Sequence, residues 1–153
     1  MAHIVTHFHV DAPPDRVFEL GANAERIPEW NASVTEVKDV TGKLDHVGAA
    51  YTAVMKIAGR RLEGRWEVVK IERPSYTELR GSAPGGGRAT LITRNTPAGG
   101  GCDCSGELDY ELPGGFIGDL AFKLFAERSV ERDVRHSNEN FKAIIEAEVP
   151  VHA

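Results

Sequence analysis

Residues 116–148 carry the strongest structural signal in the chain, with the sequence FIGDLAFKLFAERSVERDVRHSNENFKAIIEAE. The stretch has no proline, and its only glycine, Gly118, lies in the first turn. It is predicted to form one amphipathic helix, roughly 45–50 Å long at ~1.5 Å per residue. Its apolar residues recur every three or four positions: Ile117, Leu120, Leu124, Val134, Phe141 and Ile145.

This helix needs a partner for its apolar side. Nearly all of residues 33–113 has the pattern of strands, so the helix is expected to lie across a sheet. Glu127, Glu131 and Asn138 fall at or beside positions that continue the apolar side. Polar groups there suit a helix that lines a pocket better than one on a closed core. The pattern therefore gives a first indication of a cavity.

The remaining segments complete an α+β fold. Residues 2–11 alternate in polarity, as expected of a strand, and two short helices are predicted after it, from Pro13-Pro14-Asp15 to Gly21 and over residues 24–29. Short loops between the later strands predict an antiparallel meander. The expected domain, residues 1–153, is a seven-stranded curved antiparallel sheet wrapped around the long C-terminal helix. The six later strands are predicted over residues 33–40, 47–58, 61–71, 76–82, 88–95 and 102–112.

Composition excludes several classes of function. A chain of 153 residues with a net charge of −5 lacks the basic surface expected of a nucleic-acid-binding protein. No apolar run approaches the ~20 residues of a membrane span, and the N-terminus does not resemble a signal peptide. Cys102 and Cys104, two apart on a strand, are expected to be reduced. We therefore expect a cytoplasmic monomer or homodimer without stable membrane insertion.

Two groups of side chains could suggest metal or thiolate chemistry. His3, His7 and His9 share one side of the first strand, but that side is opposite the expected core, which favours a solvated stripe over a metal site. Cys102 and Cys104 have no second cysteine pair and no histidine nearby in sequence. They are interpreted as small buried residues. No metal and no cofactor are predicted.

Two further patterns also favour structural interpretations. The glycine-rich segments 84–88 and 97–101 are each followed by a strand, whereas a phosphate-binding loop is followed by a helix. Both are expected to be hairpin turns. Glu127 and Glu131 are one helical turn apart and could form an acid/base pair, but interleaved arginines favour an exposed ion-pair surface.

Three segments, in this order, resemble the SRPBCC superfamily of START-like, helix-grip proteins, and most closely its bacterial polyketide cyclase/dehydrase group. They are 11–18 (DAPPDRVF), 27–31 (IPEWN) and 139–142 (ENFK). The resemblance spans nearly the whole chain and implies a helix-grip fold with a hydrophobic cavity between the sheet and the C-terminal helix. Asn138 departs from it, because an apolar residue, often leucine, usually occupies that position.

The candidate ligand-binding residues combine apolar bodies with polar tips on the expected cavity side. A solid core, in which each polar tip finds a backbone partner, is the alternative. The set with polar or sulfur-bearing side chains is Trp30, Tyr51, Trp66, Cys104, Tyr110 and Asn138. Apolar residues of the same strands and helix complete it: Met55, Leu91, Leu108 and Leu124.

Two functions follow from this expected cavity. The first is binding or transport of a small hydrophobic molecule, such as a polyketide-like, lipid or isoprenoid compound. The alternative is a polyketide cyclase/dehydratase-type enzyme acting on an aromatic or polyketide-like substrate, for which Tyr51, Tyr110 and Glu127 are the available acid/base groups. Catalytic residues are not assigned. A protein–protein adaptor is disfavoured, because the solvent-facing strand positions are charged.

Overall fold

A single seven-stranded antiparallel sheet forms the frame of the protein, in the strand order β1-β7-β6-β5-β4-β3-β2. The structure, a computed structural model, describes residues 1–148. The strands are β1 (Ala2–Val10), β2 (Val34–Lys38), β3 (Ala50–Ile57), β4 (Arg60–Glu72), β5 (Tyr76–Ala83), β6 (Gly87–Ala98) and β7 (Gly101–Glu111). The helices are α1 (Pro14–Ala22), α2 (Ile27–Trp30), α3 (Gly114–Ile117) and α4 (Leu120–Glu148).

The predicted helix-grip architecture is confirmed. The sheet curls around α4, while α1, a short 3₁₀ turn and α2 follow β1, as expected from the proline-rich segment. Both glycine-rich segments are hairpin turns, one between β5 and β6 and one between β6 and β7. The third predicted strand is shorter than expected: Val47 precedes β3 and is exposed. Within the described range, no helix is both long and apolar enough to cross a bilayer.

The register of β1 with β7 explains the alternation of both strands. Ile4 lies opposite Leu108 and Phe8 opposite Cys104, so these residues share the inner side of the sheet. The histidines of β1 lie on the outer side, as predicted. His3 and His9 pair there with carboxylates of β7, at 2.5 Å from Nδ1 to Oδ1 of Asp109 and 2.8 Å from Nδ1 to Oδ1 of Asp103.

The prediction of one continuous helix over residues 116–148 is wrong at its start. Gly118 and Asp119 separate α3 from α4. The Asp119 carboxylate accepts hydrogen bonds from the backbone N–H groups of Ala121 (2.9 Å) and Phe122 (3.3 Å). An aspartate that accepts these bonds caps a helix N-terminus, so α4 begins anew after the break.

The new start changes which side of α4 is buried. Phe122, Ala126 and Val130 pack against the sheet in its first half. Leu124 lies two residues from Phe122, about 200° around the helix axis, and so faces solvent. Leu120, Leu124 and Ile117, which the apolar periodicity assigned to the buried side, are therefore 69, 49 and 45% exposed.

The second half of α4 is held to the segment between α2 and β2. The backbone N–H of Ala32 donates to Ser137 Oγ at 2.8 Å, and Asn140 Nδ2 donates to the carbonyl oxygen of Trp30 at 3.2 Å. Ser137 is buried. These bonds satisfy backbone groups that α2 leaves free at its end, and they fix α4 over that end of the sheet.

The last turns of α4 are also held to the end of β1. Lys142 Nζ donates to the carbonyl oxygen of His9 at 2.6 Å, and the Glu146 carboxylate accepts from the backbone N–H of Asp11 at 2.9 Å. Lys142 and Glu146 pair with each other at 2.8 Å. The C-terminal half of α4 is therefore tied to two separate parts of the fold.

Candidate ligand-binding site

A cavity of about 320 Å³ lies between the inner side of the sheet and α4. Its walls are mostly apolar, because the inward positions of the strands alternate with charged outward positions. Nine of the ten predicted ligand-binding residues line it: Trp30, Tyr51, Met55, Trp66, Leu91, Cys104, Leu108, Tyr110 and Asn138. Their lining position is a structural finding, while their contact with a ligand remains a prediction.

The tenth predicted residue, Leu124, does not line the cavity, so its prediction as a ligand-binding residue is wrong. Its side chain is half exposed on the solvent side of α4, since the helix starts anew after Gly118. Val130, Val134 and Phe141 supply the apolar wall on the helix instead.

Glycines on the inner side of the sheet provide much of the room. Gly81 faces the indole of Trp66, and a Cβ at Gly81 would lie 3.0 Å from the ring. Gly64 faces the end of Met55 in the same way, with a hypothetical Cβ 3.0 Å from Met55 Cε. Gly106 lines the cavity as well. The strands therefore accommodate large side chains next to positions without one, and the cavity stays open between them.

Two tyrosines bring phenol groups to the cavity. Burial raises the pKa of Tyr51 far above its usual value. Burial also raises the pKa of Tyr110 to about 12, with a smaller contribution from the carboxylates of Glu127 and Glu131. Both phenols are therefore neutral near pH 7. They can donate hydrogen bonds to a ligand oxygen, but they are weak bases there.

Trp30 connects the cavity to α4. Its indole packs edge-on against Phe141, with ring centroids 5.1 Å apart and planes at 89°. The indole Nε1 is buried and has no hydrogen-bond partner among residues 1–148. A buried N–H without an acceptor costs roughly 1–3 kcal/mol. Among the buried side-chain nitrogen and oxygen atoms of residues 1–148, this group is the exception.

Asn138 places an amide on the helical wall of the cavity. Its side chain is half-buried and makes no hydrogen bond to another residue in the described range. Charge is nearly absent from the lining. Within residues 1–148 its only charged members are Arg88, which is exposed, and Glu111, which is partly buried; they pair with each other at 2.8 Å.

The two cysteines are free and buried side by side. Their Sγ atoms are 3.8 Å apart, and Cys104 lines the cavity. Burial is the main reason that the pKa of each thiol is raised. A thiol with a raised pKa is a poor nucleophile at neutral pH, which agrees with the interpretation of both as small buried residues.

The sequence profile of one family, described as polyketide cyclase/dehydrase and lipid transport, matches residues 1–146. The chain belongs to this family. The profile covers every strand and almost all of α4, so membership applies to the whole cavity-forming part of the chain. No protein with a curated description matches the chain.

Solved structures place this family member among helix-grip folds. A protein from Thermus thermophilus superposes with a TM-score of 0.77 at 20% identity, over 97% of this chain and 100% of that one. The Zhui aromatase/cyclase from Streptomyces sp. R1128 gives 0.76 at 16% identity, over 98% and 96%. A START superfamily protein from Mycobacterium smegmatis gives 0.70 at 13% identity, over 96% and 99%. At these identities the likeness concerns the fold alone.

Several cavity residues of this family member were not predicted. Thr77 on β5 and Thr93 and Asn95 on β6 line the cavity and add polarity at the end covered by α1. The alternation of β6 could have identified two of them, since Thr93 and Asn95 share the side of Leu91. The glycines that create room carry no such signal, because a glycine in a strand also occurs at bulges and bends.

Proposed function

We propose that the protein binds and carries a small, largely apolar molecule in the cavity between the sheet and α4. The observation that carries this proposal is the cavity itself. Its volume of about 320 Å³ falls at the lower end of the ~300–1,000 Å³ typical of small-molecule sites. Such sites are mostly apolar with a few placed polar groups, which matches the lining described above.

The polar groups of the lining favour a neutral ligand that carries one or two oxygen atoms. Tyr51 and Tyr110 offer neutral phenols, and Asn138 offers an amide without another partner in the described range. A carbonyl or hydroxyl oxygen is the complementary group for such donors. A charged ligand is disfavoured, because desolvating an ion without an opposite charge is costly.

Family membership supports the same proposal. The family description includes lipid transport, and the fold neighbours include a START superfamily protein. Polyketide-like, lipid and isoprenoid compounds are the ligand classes we propose. The nine lining residues predicted from the sequence are the proposed ligand contacts.

Native mass spectrometry tests the proposal. The purified protein is expected to carry, or to take up from a lipid and aromatic library, a neutral compound at one molecule per chain. Binding should also raise Tm. As a control, the same library is applied to a variant whose cavity is filled, Ala89→Phe. Equal uptake by both proteins, or none by the parent, would contradict a carrier function in this cavity.

A cyclase or dehydratase activity is the second candidate. It is supported by the family description and by two neutral phenols that could hydrogen-bond a substrate carbonyl. Turnover of a polyketide-like substrate that depends on Tyr51 or Tyr110 would establish it. If the parent protein and its Tyr→Phe variants all bind the substrate at one molecule per chain without forming product, the enzyme candidate is excluded and the carrier proposal is retained.

We also propose that the protein works in the cytoplasm as a monomer or homodimer. The two free, buried cysteines support a reducing compartment, where thiols persist. Cell fractionation and light scattering of the eluting protein test these two statements. Recovery in a secreted fraction, or a defined assembly larger than a dimer, would contradict them.

A further inference from the structure

One line of residues across the sheet has a tyrosine at each end. The antiparallel register joins five directly opposed residues on β3, β4, β5, β6 and β7 into this line, and all five line the cavity. They are Tyr51, Trp66, Gly81, Ala89 and Tyr110. We call this line the tyrosine row. Two phenol groups from strands far apart in the sheet therefore reach the same cavity.

The curvature of the sheet puts the two tyrosines on opposite walls of the cavity. Four strand spacings of ~4.8 Å, about 19 Å along the sheet, separate their backbones. Tyr51 belongs to the core cluster that contains Phe18, whereas Tyr110 belongs to the cluster that contains Phe116 and Val130. Because the sheet curls around α4, both side chains point inward from its two sides. The phenol groups thus enclose the space between them.

The middle of the tyrosine row leaves this space open. Gly81 has no side chain, and Ala89 contributes only a methyl group. The indole of Trp66 lies against Gly81, since a Cβ at that position would be 3.0 Å from the ring. A molecule that reaches from one tyrosine to the other therefore passes over a low, apolar floor.

Both phenol oxygens face the cavity without a partner. Tyr51 and Tyr110 are only 8 and 6% exposed, and neither hydroxyl bonds to another residue in the described range. Among buried side-chain nitrogen and oxygen atoms of residues 1–148, only Trp30 Nε1 is both fully enclosed and unpartnered. The two phenol oxygens therefore keep accessible surface, and in residues buried this deeply that surface belongs to the cavity.

The adjacent row of the sheet offers these hydroxyls nothing to bond to. It is joined by the same register and consists of apolar side chains: Leu79, Leu91, Leu108 and Ile4. An unpartnered hydroxyl in an apolar wall gains a hydrogen bond when a ligand brings a polar atom to it. Each end of the tyrosine row is thus a separate position for one polar atom of a ligand.

We propose that Tyr51 and Tyr110 together select a ligand that carries a neutral oxygen function at each of its two ends. One end bonds to Tyr51, the other bonds to Tyr110, and the apolar middle lies over the floor of the tyrosine row. A hydroxyl or carbonyl oxygen suits both positions, because a phenol donates and accepts hydrogen bonds. This inference rests on the proposed carrier function and adds the arrangement of polar groups in the ligand.

Two probes that differ by one hydroxyl group, decane-1,10-diol and decan-1-ol, test the inference by isothermal titration. Their flexible chains adapt to the distance between the phenols. For the diol, Tyr51→Phe and Tyr110→Phe should each raise Kd about tenfold, and the double variant about a hundredfold. For the alcohol, each single variant should raise Kd no more than about twofold, because the molecule can reverse its direction and bond to the remaining phenol.

Tyr76→Phe is the matched control. Tyr76 lies outside the cavity lining, and its hydroxyl donates to Glu78 Oε1 at 2.9 Å, so this variant should bind both probes as the parent does. Thermal unfolding verifies that each variant folds.

The outcomes separate this inference from the carrier function. Equal losses for the diol and the alcohol, or no loss for the diol in either single variant, would overturn selection by the two tyrosines. Absence of binding of both probes to the parent would overturn it as well. The carrier function is contradicted only if the parent also takes up nothing from the lipid and aromatic library.

Discussion

The indole of Trp66 lies directly against Gly81, its partner across β4 and β5. A Cβ placed on Gly81 would be 3.0 Å from two ring carbons of the indole, closer than ordinary van der Waals contact allows. Trp66 lines the cavity, so its ring can lie flat along the sheet only because position 81 has no side chain. The shape of the cavity thus depends on a residue that contributes almost no surface of its own.

Gly81→Ala is therefore expected to move the Trp66 ring into the cavity. Overpacking of this kind costs about 1–3 kcal/mol in the free energy of unfolding, and the smaller cavity should bind its ligand at least tenfold more weakly. Urea unfolding and ligand titration measure the two effects. Gly115→Ala is the control, because a Cβ there meets no atom within 4 Å. Unchanged affinity in Gly81→Ala would show that the ring position does not limit binding.

Ala89→Phe should fill the cavity from β6. Ala89 lies between Gly81 and Tyr110 on the inner side of the sheet and lines the cavity. The added ring occupies space that a ligand needs, so binding should be abolished while Tm stays equal or rises. Thr90→Phe, on the outer side of the same strand, is the matched control and should bind normally. Loss of binding in both variants would indicate a general disturbance of β6.

Asn138→Leu should stabilise the empty protein and weaken binding of a ligand with a polar end. The Asn138 amide has no partner in the described range, so an apolar replacement removes an imperfectly satisfied polar group. Loss of one ligand hydrogen bond corresponds to about tenfold in Kd, or ~1.4 kcal/mol. Isothermal titration and thermal unfolding measure both quantities. Unchanged affinity and Tm would refute the anchor role.

Asn140→Leu provides the contrast two residues along α4. Asn140 Nδ2 donates to the carbonyl oxygen of Trp30, so its removal leaves a half-buried carbonyl without that donor. We expect a loss of about 1 kcal/mol in the free energy of unfolding, opposite in sign to the effect of Asn138→Leu. Urea midpoints of the two variants, measured side by side, test this difference. Equal midpoints would mean that the two amides have the same environment in solution.

Stability should fall in acid partly through Glu146. Its pKa is lowered, first because Lys142 donates to the carboxylate and second because the backbone N–H of Asp11 does. A carboxyl with a lowered folded-state pKa contributes stability above its unfolded pKa of about 4.3, and that contribution disappears as pH falls through the folded value. Glu146→Gln should therefore flatten the acid side of the urea midpoint plotted against pH. An identical slope in parent and variant would exclude this contribution.

The sequence was sufficient for the sheet and for nine of the residues that line the cavity. Alternation in β1, β3 and β7 assigns each side chain to one side, and residues such as Tyr51 and Tyr110 then face α4 without further information. Helical periodicity alone was insufficient for Leu124. The Asp119 cap begins a new helix with a different buried side, and a periodic pattern does not show where the chain breaks.

Side-chain contacts between segments that are distant in the sequence could not be predicted from the sequence. His9 and Asp103 are paired across β1 and β7, although 94 residues separate them. The hydrogen bond from Ala32 to Ser137 likewise depends on where α4 crosses the sheet, which no local pattern specifies. Such pairs form only after the topology brings two elements together. Local sequence patterns therefore do not identify them.

The helix α4 is attached to the rest of the protein more strongly through its second half than through its first turns. Ser137, Asn140, Lys142 and Glu146 hydrogen-bond to other segments in its second half, while its first turns are held by the apolar packing of Phe122 and Ala126 and have a solvent-exposed side. Local opening costs least where attachments are fewest. Amide hydrogens near Leu120 should therefore exchange with solvent much faster than those near Phe141, and the cavity should exchange its contents past the first turns of the helix.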